Sequence, residues 1–274
     1  MTRQPDVALR LEMTFELPGS PEQVWDAIAT ANGISSWFLV TDLEEREGGA
    51  VCFHMGPEAE SPGTVTGWDP PRRFAYEEPA WAALAGHDPS SVTPMVTEFL
   101  VEAQSGGTCV VRVVSSAFGT GADWERELFD DMEQGWEPFF YNLRLYLTEF
   151  PGQRVTPASI HADLPGPLDD VWSTLTETLG ADEVGQSVEF LSLTGRVQRV
   201  GMRPARYLFV RVAEPVPGFL AFFAYDKGDG SSAVSIEVRL FSDDGPAFVE
   251  RETPAWQAWL EGLDVQASTV PTSS

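Results

Sequence analysis

One phrase occurs twice in this chain. Residues 17–28 read LPGSPEQVWDAI and residues 164–175 read LPGPLDDVWSTL, at a constant offset of 147 with no gap. Leu17, Pro18, Gly19, Val24 and Trp25 coincide with Leu164, Pro165, Gly166, Val171 and Trp172, and Ile28 matches Leu175. In both places an alternating apolar run ends at Pro-Gly and an amphipathic helical pattern begins. Self-similarity at a fixed offset is the mark of a duplicated unit. The chain has therefore to build the same strand-to-helix junction twice, and its 274 residues suit two domains.

Around the first copy, Val7, Leu9, Leu11, Met13, Phe15 and Leu17 alternate with polar residues, as in a half-buried strand. Ser20 is placed to cap a helix with Pro21 at its first position, and Val24, Trp25 and Ile28 form its apolar stripe. A short turn or helix with Ile34, Trp37 and Phe38 follows. Strand-like runs are expected near 38–46, 50–56, 63–68, 72–78, 94–103 and 108–116, with an irregular segment at 79–93. A long helix then spans about 122–148, with Trp124, Leu128, Met132 and Trp136 every four residues. Pro138 lies inside it and predicts a kink. A strand, two helices, six strands and one long helix make an α+β unit: a curved antiparallel sheet covered by its terminal helix.

The second half repeats this order with strands near 187–193, 195–201, 205–213, 217–225 and 232–241 and a shorter helix near 246–262. It lacks a counterpart to 37–46. The expected organisation is a domain at 1–151, a shortened copy at 152–264 and a disordered polar tail at 265–274.

The net charge is −25, and Lys227 is the sole lysine beside 16 arginines. Nucleic acids and anionic membrane surfaces are recognised by clustered cations, so neither is an expected partner. No apolar run is long enough for a membrane span, and the N-terminus MTRQPDVALRLEM lacks a signal-peptide core, so a cytoplasmic protein is expected. A protein partner of unknown kind stays open.

Several runs occur in order over residues 9–148: SPEQVWDAI, WF, GGAVCFHM, GTVTGWDPPRRFAYEE, TEF, GGTCVVRVV and EQGWEPFFYNLRLYL. Together they resemble the activator of Hsp90 ATPase homologue 1-like family of the START/Bet v1-like (SRPBCC) superfamily. Residues 155–263 are similar to the superfamily through the repeated first helix and the element order. The resemblance implies two tandem helix-grip domains with a pocket between sheet and long helix. Members of the superfamily bind lipids, hormones, polyketides and other apolar small molecules; some are cyclases, and many bacterial members have no assigned reaction.

An apolar or amphipathic small molecule in the first-domain cavity is the leading expectation. Its candidate wall is Trp37, Phe38, Phe53, Trp68, Phe99, Trp124, Phe129, Met132 and Trp136, an aromatic inventory larger than a small core needs. One alternative is a cyclase- or hydrolase-like enzyme using Glu98, Arg112 or His54 as polar pocket groups, with Glu98 and Arg112 on strands whose inner faces should meet the long helix. Another is a co-chaperone or protein-interaction module. No G-x-S-x-G elbow and no phosphate loop is present, so no catalytic constellation is visible and no cofactor is expected. His54, His87 and His161 show no paired ligand spacing, and Cys52 and Cys109 are far apart in sequence, so no metal is expected. His161 is expected on an exposed strand face, and His87 near the cavity mouth.

Overall fold

The computed structural model describes residues 7–56, 59–202 and 205–265. The expected tail at 265–274 lies, apart from its first residue, outside them. The chain divides into two compact units, residues 1–153 and 154–274.

The first unit begins with β1 (Val7–Pro18), α1 (Pro21–Ala29) and the short α2 (Ala31–Ser35). Six strands follow: β2 (Val40–Leu43), β3 (Ala50–Gly56), β4 (Ala59–Asp69), β5 (Arg73–Glu78), β6 (Met95–Ala103) and β7 (Thr108–Gly119). A single turn of helix, α3 (Trp81–Leu84), lies between β5 and β6, and α4 (Asp123–Glu149) closes the unit, continuing through Pro138. The sheet is antiparallel with strand order β1-β7-β6-β5-β4-β3-β2. Short connections force neighbouring strands to pair in sequence, while α1 and α2 carry the chain from one edge to the other.

Two local devices fix the ends of this unit. Ser20 accepts a hydrogen bond from the Gln23 amide, and the Gln23 side chain accepts one from the Ser20 amide, a capping box. At the start of α4, Glu125 accepts from the amides of Thr120 and Gly121 and from the Thr120 hydroxyl at 2.8–2.9 Å. Phe140 of α4 stacks on Phe15 of β1, and Leu143 beside it is fully buried. A fully buried side chain of this size contributes about 1.5–3 kcal/mol, so these contacts clamp the helix to the sheet edge.

The second unit has β8 (Thr156–Pro165), α5 (Leu168–Leu179), β9 (Ser187–Phe190), β10 (Leu193–Gly201), β11 (Arg206–Glu214), β12 (Gly218–Asp226), β13 (Ser231–Leu240) and α6 (Gly245–Glu261). Its antiparallel sheet runs β8-β13-β12-β11-β10-β9, one strand fewer than the first. The strand expected at 187–193 stops at Phe190 because Leu191 turns the chain with a φ of +52°. Ile236, Val238 and Leu240 pack with Trp172, Phe222, Trp256 and Leu260 in one core. His161 on β8 is half-buried, not exposed as its pattern suggested.

The repeated phrase folds the same way twice. Gly19 and Gly166 both have a φ of +113°, a conformation that favours glycine. The Gly19 amide donates to the Gly107 carbonyl at 3.0 Å, and the Gly166 amide donates to the Gly230 carbonyl at 3.1 Å. The Cys109 thiol donates to the Gly19 carbonyl, as the Ser232 hydroxyl does to that of Gly166. Val24, Trp25 and Ile28 are buried, as are Val171, Trp172 and Leu175. Both units are thus helix-grip folds: a curved antiparallel sheet, entered through one kind of junction and closed by a C-terminal helix.

Candidate functional site

The concave face of the first sheet and α4 enclose a cavity of about 400 Å³. The helix supplies Leu128, Asp131, Met132, Gly135, Trp136 and Phe139, at intervals of three and four residues that place all of them on one face. The sheet supplies Phe53, Ser61, Tyr76, Glu78, Met95 and Thr97, and the connecting segments add Phe38, Leu39, Trp81 and Leu84. Phe38 stacks on Trp136 with centroids 5.2 Å apart and meets Phe53 edge-on at 5.8 Å, so one aromatic wall runs from helix to sheet. A Cβ on Gly135 would meet nothing within 4 Å, so this glycine keeps part of the cavity open. Met55 and Leu84 are exposed at its rim.

Apart from Asp131, the polar members of the lining are Ser61, Tyr76, Glu78 and Thr97. Phe74, Tyr76 and Glu78 share one face of β5 by strand alternation, and all are buried. The Ser61 hydroxyl donates to Glu78 Oε1 at 2.5 Å. Burial pushes the Glu78 carboxyl above its ordinary range, against the pull of the Ser61 hydrogen bond. Tyr76 is raised well above the usual phenol range by burial first, then by the Glu78 charge, while a hydrogen bond with Thr97 opposes the shift. Tyr76, Thr97 and Ser115 stand opposite one another on β5, β6 and β7, and the Thr97 and Ser115 hydroxyls are 3.1 Å apart. The cavity therefore has an apolar body and one polar wall whose acid and phenol favour their neutral, hydrogen-bond-donating forms.

Of the aromatic and methionine residues expected to line a pocket, Phe38, Phe53, Met132 and Trp136 do so. The others are placed differently. Trp37 is buried with its indole N–H donating to the Ala27 carbonyl at 2.9 Å. Trp68 packs edge-on against Trp25 of α1. Phe99 packs behind Trp136. Trp124 stacks on His87 at 4.0 Å, which ties the segment after α3 to the start of α4 and keeps His87 out of the lining. Phe129 packs against Trp81 and borders a separate, polar cleft with Arg10, Arg126 and Asp130.

The three polar candidates lie outside the cavity. Glu98 is bonded to Arg73 at 2.5 Å, and Arg112 faces Glu12 at 3.3 Å; both are part-exposed, and they do not pair with each other. Their neighbours Thr97, Phe99, Val111 and Val113 are buried on the inner face, so alternation turns Glu98 and Arg112 outward. His54 is turned outward for the same reason by Phe53, and it contacts Asp42 at 3.0 Å and Glu60 at 3.2 Å. Tyr76, Glu78 and Ser61 were not anticipated, although alternation from Phe74 identifies the first two.

Fold and site define a helix-grip protein with a sheet-to-helix cavity in its first unit. Residues 18–148 match the family described as activator of Hsp90 ATPase homolog 1-like protein. Among solved structures, the chain is similar to protein MLL2253 from Mesorhizobium loti, with 20% identity over 52% of this chain and 98% of that one and a TM-score of 0.45. It is similar to the Aha1 dimer from Colwellia psychrerythraea, with 19% identity over 51% of this chain and 96% of that one and a TM-score of 0.41. The di-domain ARO/CYC BexL from the BE-7585A biosynthetic pathway aligns over 94% of this chain and 99% of its own, with 12% identity and a TM-score of 0.44. No curated protein matches the chain. No described helix is long and apolar enough to cross a membrane.

Proposed function

We propose that the first unit binds an apolar or amphipathic small molecule carrying one hydrogen-bond-accepting group. The observation that carries this reading is the cavity itself: about 400 Å³, walled by aromatics and methionine, with polar groups gathered on one side. Small-molecule sites are typically about 300–1,000 Å³, mostly apolar, with a few placed polar groups. Phe38, Phe53, Met132 and Trp136 would hold the apolar body, and Glu78 and Tyr76 would donate to a carbonyl or similar oxygen. The second unit would serve as scaffold.

Native mass spectrometry of the freshly purified chain, followed by denaturing extraction, tests the proposal. A bound species of a few hundred daltons is expected. It should be lost in Gly135→Leu, which fills the cavity from a position with free space around it. The reading fails if the chain carries no adduct and apolar carbonyl compounds produce no saturable quenching of its tryptophan fluorescence.

A second reading rests on Glu78. A carboxyl favouring its neutral form beside a phenol in an apolar cavity is suited to general acid–base catalysis, as in a cyclase-like enzyme. The two readings separate on Glu78→Gln. Under the binding reading the variant only weakens affinity; under the enzymatic one it binds and does not turn over.

A further inference from the structure

On the outer face of the first sheet, away from the cavity, four side chains with metal-binding atoms converge at one edge. Cys52 and His54 are two residues apart on β3 and so share a face. Glu60 stands opposite His54 on β4, and Asp42 opposite Cys52 on β2. One ligand atom each from Cys52, His54 and Glu60 lie within 4.8 Å of one another. His54 Nδ1 is 3.2 Å from Glu60 Oε1, while its Nε2 is 3.0 Å from Asp42 Oδ2.

We propose that Cys52, His54 and Glu60 form a binding site for a zinc-like divalent cation, with Asp42 as the residue that orients the imidazole. Thiolate, imidazole and carboxylate together are a donor set suited to zinc, and three protein ligands leave the fourth tetrahedral position to water. The two ring nitrogens divide the work. Nδ1 faces Glu60, and Nε2 is held by the Asp42 carboxylate, the kind of partner that fixes ring tautomer and direction in carboxylate–histidine–metal sites. A cation at Nδ1 would engage Glu60 and leave the Nε2 side of the ring to Asp42. A tetrahedral zinc ion sets its ligand atoms about 3.5 Å apart, so the present spacing needs a small closure. Glu60 is well exposed and free of the packing that would resist it. The site joins β2, β3 and β4 near the edge of the sheet, directly behind Phe53 of the cavity wall.

The test is titration of the metal-free full chain with Zn²⁺ by calorimetry and with Co²⁺ by absorption spectroscopy. The expected result is one Zn²⁺ per chain and, with Co²⁺, the near-ultraviolet charge-transfer band of a cobalt–thiolate bond. Cys52→Ser should abolish the band and weaken Zn²⁺ at least tenfold. Asp42→Asn should keep the band and weaken Zn²⁺ by about ten- to a hundredfold, the usual effect of losing a partner that orients a ligand. Absence of the band on the intact chain overturns the proposal, and needs no variant to fold. Zn²⁺ affinity unchanged by Cys52→Ser also overturns it, because the cation would then be held by the acidic surface at large.

Discussion

Ser61 and Glu78, on adjacent strands of the first sheet, meet through a 2.5 Å hydrogen bond inside an apolar cavity. The carboxyl in this pair is raised by burial, so the folded chain holds a proton that the unfolded chain releases at lower pH. A raised carboxyl stabilises the fold below the unfolded value, near the ordinary 4.5, and that contribution is lost as pH rises through the folded value. Glu78→Gln should therefore gain stability relative to the parent as pH rises above about 4.5. Thermal melts of both proteins between acid and neutral pH check this; parallel curves would refute it.

Glu125 acts in the opposite sense. Burial alone would raise it, but the amides of Thr120, Gly121 and Ala122 and the Thr120 hydroxyl outweigh burial and hold it below its ordinary value. Its contribution is present above the unfolded value and lost as pH falls through the folded one. Glu125→Gln should lower the melting temperature at neutral pH, and the difference from the parent should shrink toward acid pH.

A Cβ on Gly119 would come within 2.2 Å of Glu125 Oε2. Gly119→Ala should displace that carboxylate and cost about 1–3 kcal/mol in urea denaturation, in line with overpacking of a tight site.

Gly135 offers the reverse case. It sits in the middle of α4 with free space where a side chain would go. Gly135→Ala should stabilise the first unit by about 0.5–1 kcal/mol through helix propensity alone. A gain in stability joined to weaker ligand binding would mark this glycine as one retained to keep the cavity open.

Gly19→Ala and Gly166→Ala should each cost about 1–3 kcal/mol, because both positions hold a φ that side chains disfavour. Hydrogen exchange read by mass spectrometry should localise the loss to α1 in the first variant and to α5 in the second.

Much of this was legible in the sequence. The four-residue spacing of Leu128, Met132 and Trp136 marked the helical wall, and the alternation of β1 marked the sheet edge. Alternation within the shorter strands decides the rest. Glu98 and Phe99 are neighbours and cannot both face the cavity; nor can His54 and Phe53, or Arg112 and Val113. Glu78 was hidden because a Tyr-Glu-Glu run reads as a solvated strand end, whereas the α3 segment and Met95 cover it. Trp68 faces inward beside Phe74 but packs against Trp25 of α1 rather than lining the cavity, a tertiary contact that its local pattern does not announce.

The twin junctions at Gly19 and Gly166 bear on how such a chain can diverge. Each is anchored to a hairpin turn of its own sheet, by the same amide and the same carbonyl. Neither anchor depends on the interior surface or on the far edge of the sheet. The second unit has one edge strand fewer and a closing helix of 17 residues against 27, and it still enters its first helix in the same way. The joint is set locally, and the rooms on either side of it are free to differ.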